Sequence, residues 1–278
     1  MERIIGGNME DALGDRMKML EAREAGRRTL PLLPICARLD GKCFSKFTKG
    51  LHRPFDLRMQ SLMLDVTLKL VEETNACIGY TQSDEISLIY YSSTYASQVF
   101  FDGKIQKMVS VLASMATAHF NKLVPQYLYL EEKKDELAYF DCRVWDVPTK
   151  EEAVNTILWR ELDATKNAIS MAARTVYSHK ELMHKTCSEM QEMLFQKGIN
   201  FNDYPSFFKR GAFVQRKDFK KVLTDKELAK MPEKYANEIK GKEITRSEVV
   251  FVEVPPFNKV INRVEFIFDG DIPEVIKG

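Results

Sequence analysis

The chain has 278 residues, 45% of them hydrophobic and 29% charged, which allows one large or two modest domains with an ample core. A formal net charge of +1 excludes a nucleic-acid binder whose whole surface is basic, so any basic surface must be local. Residues 1–60 hold 12 Lys and Arg against 8 Asp and Glu, and residues 209–221 hold six basic residues and one acid.

The first half of the chain alternates helical patterns with short β-prone runs. Apolar residues recur at helical spacing in three segments, and Asp56 stands where the second of these needs an N-cap. Prolines precede the first apolar run, and Pro148 closes the last. The patterns predict, in order, a helix over 11–25, a strand over 32–39, a helix over 57–74, a hairpin of strands over 77–81 and 86–91, a helix over 104–123 and a strand over 138–147.

After the first helix this order is β-α-β-β-α-β. It predicts the ferredoxin-like arrangement, an α/β (α+β) fold in which two helices cover one face of an antiparallel sheet. The palm of nucleotide polymerases has this arrangement, as do RNA-binding modules and acylphosphatases, so the fold by itself assigns no function. In this topology the first strand lies beside the central hairpin, which brings Asp40 close to Asp84.

The second half predicts a mixed helical and strand region. Capping boxes at Thr149 with Glu152 and at Thr186 with Glu189 begin two helices, the first reaching about residue 177 and the second stopping at Gly198. Further patterns predict a strand over 210–216, an exposed helix over 225–240 and strands over 245–254 and 259–268. We expect a palm-like catalytic domain over residues 1–148, with residues 149–278 packed on it.

Acidic residues stand at the ends of two strands that the topology makes neighbours. Asp40 leaves the first strand and is followed by Gly41, which permits a sharp turn, and Asp84 lies in the polar Ser83-Asp84-Glu85 turn of the hairpin. Turns also attract Asp and Ser for their own hydrogen bonds, which is the alternative for each motif alone. Together the two carboxylates suit a pair of divalent cations, such as Mg²⁺, carrying a triphosphate.

The residues around these acids suggest further roles. The Gly41 carbonyl can add a metal ligand, and the N–H groups of Lys42 to Ser45 can cradle phosphates. Glu85 points to the opposite face from Asp84, so it acts either behind the metal ligands or on the substrate side. His179 and His184 are five residues apart and do not share a helical face, which disfavours a zinc site.

Neither the cysteines nor the apolar segments indicate an extracellular or membrane protein. The five cysteines are odd in number and contain no C-x-x-C pair, which favours a reducing compartment. No stretch approaches the ~18 apolar residues of a membrane helix. A soluble, cytoplasmic protein without membrane association is expected.

Several motifs together resemble the histidine-tRNA guanylyltransferase superfamily, whose enzymes extend tRNA in the 3′–5′ direction. The resemblance covers about residues 11–217, in order. The motifs are Leu13-Gly14-Asp15-Arg16-Met17-Lys18, Arg38-Leu39-Asp40-Gly41-Lys42 with Phe44, Gln82-Ser83-Asp84-Glu85, Phe140-Asp141-Cys142-Arg143-Val144, Trp159-Arg160 with Asp163, Glu189-Met190-Gln191-Glu192-Met193-Leu194-Phe195, Asn200-Phe201-Asn202-Asp203 and Lys209-Arg210-Gly211.

The resemblance implies roles for individual residues. The metal ligands would be Asp40, the Gly41 carbonyl and Asp84, holding two Mg²⁺ ions, with Glu85 as a further catalytic acid. The nucleotide-binding residues would be the triphosphate loop Gly41, Lys42, Cys43, Phe44 and Ser45, then Asp56 facing the base of the activating nucleotide, and Ser83, Lys107 and Arg143 near substrate. It also implies ATP or GTP as the activating nucleotide, nucleoside triphosphates as substrates, tRNA as the partner, and a homotetramer built as a dimer of dimers.

The chain departs from the family pattern at one place. Guanylyltransferases that add G to histidine tRNA carry His-Ile-Asn-Asn-Leu-Tyr-Asn, where this chain has residues 165–171 and only Asn167 matches. Together with Met190-Gln191-Glu192, this favours the branch that repairs 5′-truncated tRNA by template-directed addition. The alternatives are addition of G at position −1 of histidine tRNA, a nucleotidyl cyclase or other palm transferase, and an RNA-binding module without catalysis.

Overall fold

The computed structural model describes residues 9–128 and 136–276. The strands of the described part are β1 (Ile35–Gly41), β2 (Ile78–Gln82), β3 (Glu85–Tyr90), β4 (Phe140–Asp146), β5 (Ala212–Val222) and β6 (Glu243–Val252). Its α-helices are α1 (Met9–Ala25), α2 (Phe44–Phe47), α3 (Leu57–Thr74), α4 (Ile105–Tyr127), α5 (Lys150–Ala173), α6 (His179–Leu182), α7 (Cys187–Gln196), α8 (Ser206–Arg210), α9 (Asp225–Leu228), α10 (Glu233–Ile239) and α11 (Arg263–Phe268).

The strands form one antiparallel sheet in the order β4-β1-β3-β2-β5-β6. The first four strands have the ferredoxin-like order, which confirms the predicted fold class. The second half of the chain continues the same sheet, because β5 pairs with β2 and β6 pairs with β5.

Helices α3 and α4 cover one face of the sheet and enclose the larger part of the core. Leu62, Val66 and Leu70 of α3 are fully buried at helical spacing against strand residues such as Leu39 and Leu88. Asp56 begins α3 as predicted, and its carboxylate accepts a hydrogen bond from the Arg58 N–H at 2.9 Å.

Helix α5 and the last helix cover the opposite face. Tyr80 and Phe213 of the sheet contact Phe257 and Phe266 there, with the Phe213 ring centroid 5.3 Å from that of Phe257. The buried Glu161 of α5 fixes the approach of this segment, because its two carboxylate oxygens accept the Phe257 N–H at 2.9 and 3.0 Å.

The structure corrects several predicted elements of the second half. The strand predicted over 259–268 is instead a 3₁₀ turn at Phe257–Lys259 followed by the helix α11. The strand predicted over 210–216 begins after α8 and runs to Val222, and the helix predicted over 225–240 is divided into α9 and α10. Pro232 stands between these two helices and cannot donate a backbone hydrogen bond.

The helix caps of this half follow the predictions in part. Thr186 and Glu189 form the full capping box of α7. At α5 the Thr149 hydroxyl accepts the Glu152 N–H at 3.2 Å, but the Glu152 carboxylate bonds the Asn155 side chain. No helix in the described ranges is long and apolar enough to cross a membrane.

Candidate active site

The acidic residues meet at one end of the sheet, where β1 ends and the β2–β3 hairpin turns. Asp40 lies directly opposite Glu85 in the β1–β3 register, so these two side chains share a face. The Gly41 N–H donates to the Asp84 carbonyl at 3.1 Å, and this bond fixes the hairpin turn against the end of β1. The backbone thus brings Asp40, Gly41 and Asp84 together.

The turn that carries Asp84 is short and conformationally demanding. Only Ser83 and Asp84 separate the two strands, and Ser83 has a left-handed φ of 51°. The pKa of the Asp84 carboxyl is raised to about 6, chiefly by burial and further by the Asp40 and Glu85 carboxylates, against a hydrogen bond from the Ser83 hydroxyl. Asp84 is therefore a partly desolvated acid in a group of acids.

Glu85 is the member of this group that has its own cation. The Arg160 Nε lies 2.6 Å from Glu85 Oε1, and the second bond of the pair, from a terminal guanidinium nitrogen to Oε2, is 2.8 Å long. Both side chains are buried, and Asp163 lies 3.2 Å from Arg160. Because the guanidinium occupies both Glu85 oxygens, Asp40 and Asp84 are the carboxylates left to hold a cation.

The Gly41–Ser45 loop is anchored from the inside. The Phe44 ring packs on Phe47, Phe120 and Phe140 with centroid distances of 5.1 to 5.3 Å, so this side chain belongs to the core and only its backbone can face a ligand. A Cβ on Gly41 would lie 2.2 Å from the Phe44 ring, so the packing requires glycine.

The loop backbone is only partly free for a phosphate. The Lys42 N–H donates to the Tyr139 carbonyl at 2.8 Å, and the Gly41 N–H is used by Asp84. The remaining N–H groups, from Cys43 to Ser45, stand at the start of the one-turn helix α2. The side chains of Lys42, Cys43 and Ser45 are exposed.

A pocket of about 460 Å³ opens beside the acids, beyond the end of the sheet. Asp40, Ser83 and Asp84 border it on one side. Its walls are provided by the start of α3 and by α5 and α8, and include apolar side chains and several polar ones: Phe55, Met59, Met171, Phe207, Phe208, Gln60, Asn167, Ser170 and Arg174.

Asp56 borders the pocket, but its carboxylate is already occupied. It accepts the N–H groups of His52 and Arg58 and forms an ion pair of 2.6 Å with the Arg58 guanidinium. The pKa of the Asp56 carboxyl lies well below its usual range, mainly because the Arg58 side chain donates hydrogen bonds to it. Asp56 therefore shapes the pocket wall as a fixed anion.

Lys107 and Arg143, like the loop of residues 41–45, do not border the pocket although the sequence predicts them near nucleotide or substrate. Lys107 is exposed on α4, with its Nζ 5.9 Å from the centroid of the Phe101 ring. Arg143 lies on β4, and its guanidinium is 3.3 Å from the Asp141 carboxylate. Neither residue borders the pocket.

The face of α5 toward the pocket carries polar residues to which the sequence motifs give no role. Arg160, Asn167 and Arg174 are spaced by seven residues, so they follow one line along the helix, and all three border the pocket. This spacing is visible in the sequence, but nothing in it shows that the line faces a ligand rather than solvent.

The donor set at the acids fits a hard divalent cation. Two carboxylates and a backbone carbonyl are oxygen ligands of the kind that Mg²⁺ takes when phosphate oxygens complete its shell. Within the described ranges, no group of three or more His, Cys, Asp and Glu side chains is placed to hold a metal ion. A metal here would depend on the backbone and on substrate for its other ligands.

The comparisons with known proteins agree with this arrangement. The family model described as tRNAHis guanylyltransferase matches residues 14–148. The tRNA(His) guanylyltransferase of Saccharomyces cerevisiae is 30% identical over 206 residues, which are 68% of this chain and 84% of that protein.

Two solved structures extend the similarity into the second half. A bacterial tRNA(His) guanylyltransferase-like protein in complex with ATP has a TM-score of 0.75 and 31% identity, covering 92% of this chain and 97% of the other. A structure of such a bacterial protein in complex with GTP has a TM-score of 0.67 and 29% identity over 89% and 94% of the chains.

Proposed function

This chain belongs to the tRNAHis guanylyltransferase family, and from this we propose that it repairs truncated tRNA by template-directed 3′–5′ nucleotide addition at the 5′ end. Members of the family are nucleotidyltransferases that act on tRNA. The observation that carries the proposal is the pocket of about 460 Å³ bordered by Asp40 and Asp84, since it places a nucleotide-sized space beside a pair of carboxylates.

The pocket is the binding site for the activating nucleotide in this proposal. Relatives with the same fold are described in complex with ATP and with GTP, which supports a purine nucleotide as the ligand. Its apolar walls suit the base, and Arg174 supplies positive charge on the pocket wall. The N–H groups of Cys43, Phe44 and Ser45 would receive the triphosphate, with Lys42 alongside.

Asp40, the Gly41 carbonyl and Asp84 would hold two Mg²⁺ ions. When bound, these ions lower the pKa of the attacking group and stabilise charge on the leaving oxygen. Glu85 would act without binding the metal, because its ion pair with Arg160 holds both of its carboxylate oxygens beside Asp40. Lys107 and Arg143 would contact parts of the substrates that lie outside the pocket.

The proposed reaction has two transfers. An oxygen of the RNA 5′-monophosphate attacks the α-phosphorus of ATP or GTP and releases pyrophosphate, which activates the RNA end. The 3′-hydroxyl of an incoming nucleoside triphosphate then attacks the activated 5′-phosphate and releases AMP or GMP. Positioning and charge stabilisation are what the protein must supply in both transfers.

Repair is favoured over addition of G to histidine tRNA by the segment 165–171. Its residues Asn167, Ala168, Ser170 and Met171 border the pocket, and three of these four differ from the family pattern for G addition. The similarity to bacterial guanylyltransferase-like proteins over most of the chain also supports repair. Addition of G at position −1 is the second candidate, favoured by the names of the eukaryotic relatives.

We further propose a cytoplasmic homotetramer built as a dimer of dimers, with residues 1–148 as the catalytic palm and 149–278 packed on it. The tetramer rests on the family resemblance, the cytoplasmic location on the cysteine pattern, and the division at residue 148 on the order of the predicted elements. Analytical ultracentrifugation of the purified chain tests the assembly state.

The test of function uses a 5′-monophosphorylated tRNA that lacks its first nucleotide, with Mg²⁺, ATP and the four nucleoside triphosphates. We expect extension by the nucleotide complementary to the opposing base, and a change in the added nucleotide when that base is changed. Addition of G opposite every base would instead support the second candidate. The exposed-acid variant Asp218→Asn is the matched control for variants of the site and should extend like the wild type.

A further inference from the structure

Helix α8 forms one wall of the pocket, although little of it is shielded from solvent. It has five residues, Ser206–Arg210, and none of them is fully buried. Phe207 and Phe208 are its residues that border the pocket. A helix of this length has few backbone hydrogen bonds of its own, so contacts from other elements must decide where it lies.

Two side-chain hydroxyl groups hold the end of α8. The last carbonyl groups of a helix have no partner within that helix. The Tyr80 hydroxyl donates to the Arg210 carbonyl at 2.7 Å, and the Thr165 hydroxyl lies 2.9 Å from the Lys209 carbonyl and 3.1 Å from the Glu161 carbonyl of its own helix. Because Tyr80 belongs to β2 and Thr165 to α5, both the sheet and the helix that covers it fix this end of α8.

The Tyr80 hydroxyl has a purpose that core packing does not explain. Its ring is fully buried and packs on Phe213 with a centroid distance of 5.1 Å, a contact that phenylalanine would also make. The hydroxyl adds the bond to Arg210. The next residue, Gly211, has a φ of 78°, and a Cβ there would lie 2.6 Å from the Tyr80 hydroxyl oxygen. The backbone after α8 therefore approaches this hydroxyl as closely as glycine allows.

Aromatic contacts join α8 to the start of α3. The Phe208 ring stacks on Phe55 with a centroid distance of 4.8 Å, and Phe207 meets the same ring edge-on at 5.7 Å. Phe55 also borders the pocket and immediately precedes Asp56, the residue that begins α3. A shift of α8 would therefore separate the three aromatic rings that form this part of the pocket wall.

We propose that Tyr80 and Thr165 are positioning residues for the activating nucleotide, because their hydroxyl groups hold α8 where its two phenylalanines enclose the base. Neither residue borders the pocket, so any effect on nucleotide affinity must act through α8. A wall that is already in place binds a ligand more tightly than one that the ligand must order. The inference rests on the proposed function of the pocket and adds the contacts that keep the pocket in its binding shape.

The kinetic test uses a 5′-monophosphorylated, truncated tRNA whose opposing base is G, so that CTP is the added nucleotide and ATP the activator. Tyr80→Phe removes the hydroxyl and keeps the ring. We expect it to raise the KM for ATP roughly threefold to tenfold, the effect of one neutral hydrogen bond, with kcat and the KM for CTP unchanged. Thr165→Val should act in the same direction, and Thr165→Ser, which keeps a hydroxyl, should behave like the wild type. Equal KM values for the two Thr165 variants would overturn the role of Thr165.

Tyr90→Phe is the matched control, since it removes another buried tyrosine hydroxyl from the same sheet. That hydroxyl lies 3.0 Å from the Thr74 hydroxyl at the end of α3, and Tyr90 does not border the pocket. The control should lower the urea midpoint of unfolding about as much as Tyr80→Phe does, yet leave the KM for ATP unchanged. An unchanged KM for ATP in Tyr80→Phe would overturn the inference. An equal rise in both variants would also overturn it, because the cause would then be a general loss of stability.

A binding measurement separates this inference from the proposed function. Isothermal titration calorimetry gives the Kd for ATP with Mg²⁺ in the absence of RNA, and we expect Tyr80→Phe to raise it several-fold and Tyr90→Phe to leave it unchanged. If the wild type extends tRNA but both variants bind ATP equally well, the inference fails and the proposed function stands. If Tyr80→Phe weakens ATP binding and the wild type extends no tRNA, the proposed function fails and the positioning role stands. Absence of ATP binding by the wild type would overturn both.

Discussion

The Arg160 guanidinium meets both carboxylate oxygens of Glu85, 75 residues away in sequence, and both side chains are shielded from solvent. Breaking this pair from one side would leave a buried charge without a partner. We expect Arg160→Met to lower the free energy of unfolding by about 3–5 kcal/mol, measured by urea denaturation. Replacing both partners, with Glu85→Gln added, should cost less than the sum of the single variants.

The exposed pair of Lys69 and Glu72, with an N–O distance of 2.8 Å, is the matched control. Lys69→Ala should change the free energy of unfolding by less than about 1 kcal/mol because solvent screens the pair. Equal costs at both sites would show that the Glu85–Arg160 pair is not structural.

Replacing the acid in the hairpin turn should separate catalysis from RNA binding. Asp84→Asn keeps the side-chain shape but removes the negative charge that we propose binds Mg²⁺, so we expect extension to fall at least about 100-fold, equal to roughly 3 kcal/mol of charge stabilisation. The affinity for tRNA should change little. Mg²⁺ with ATP should raise the Tm of the wild type more than that of the variant. Wild-type turnover in Asp84→Asn would show that the Asp84 carboxylate has no role in catalysis.

Glu161 should make stability depend on pH. Burial raises the pKa of this carboxyl to about 7, against the hydrogen bond from the Phe257 N–H and the charge of Arg210. Between the unfolded pKa and about 7 the folded state holds a proton that the unfolded chain has lost. The stability contributed by this group is therefore present at low pH and lost as pH rises through that window.

Glu161→Gln tests this dependence, because glutamine is neutral at every pH. The free energy of unfolding of the variant relative to wild type should increase from pH 5 to pH 8, by up to about 3 kcal/mol. Urea denaturation at the two pH values measures the change. A constant or decreasing difference would contradict the assignment.

The cysteines should differ sharply in reactivity, and one of them lies in the loop that we propose receives the triphosphate. Burial raises the pKa of Cys36 to about 11 and of Cys142 to about 12, whereas the Cys43 side chain is exposed. We expect maleimide to label Cys43 first, by mass spectrometry, and ATP with Mg²⁺ to slow that labelling. Cys43→Ser should abolish the fast phase of maleimide labelling. If ATP with Mg²⁺ leaves the labelling rate of Cys43 unchanged, the triphosphate does not bind at this loop.

The sequence supports prediction of the ferredoxin-like half because local patterns and topology agree there. Apolar spacing locates α3 and α4, and the strand order places Asp40 near Asp84. The strand predicted over 259–268 is wrong because a short apolar run does not distinguish a strand from a buried helix. Phe266 and Ile267 are buried there as a strand would also bury them, but on α11.

The parts of the site that the sequence does not predict depend on long-range contacts. The ion pair of Glu85 with Arg160 joins residues that no local pattern connects, and the pocket wall on α5 exists only because that helix crosses the end of the sheet. The contacts of Phe44 are similar: an aromatic residue in a polar loop is more often buried than exposed, but only the fold shows that Phe47, Phe120 and Phe140 surround it.

The pairing of β2 with β5 makes the first half of the chain depend on the second half to cover a strand edge. Ile78, Gly79, Tyr80 and Thr81 are buried, and each has a partner on β5. A fragment ending after β4 would expose the five residues of this strand as an unpaired edge, and unpaired edges are surfaces through which chains join one another into aggregates. Expressed alone, the first 148 residues should therefore be insoluble, although they contain Asp40 and Asp84.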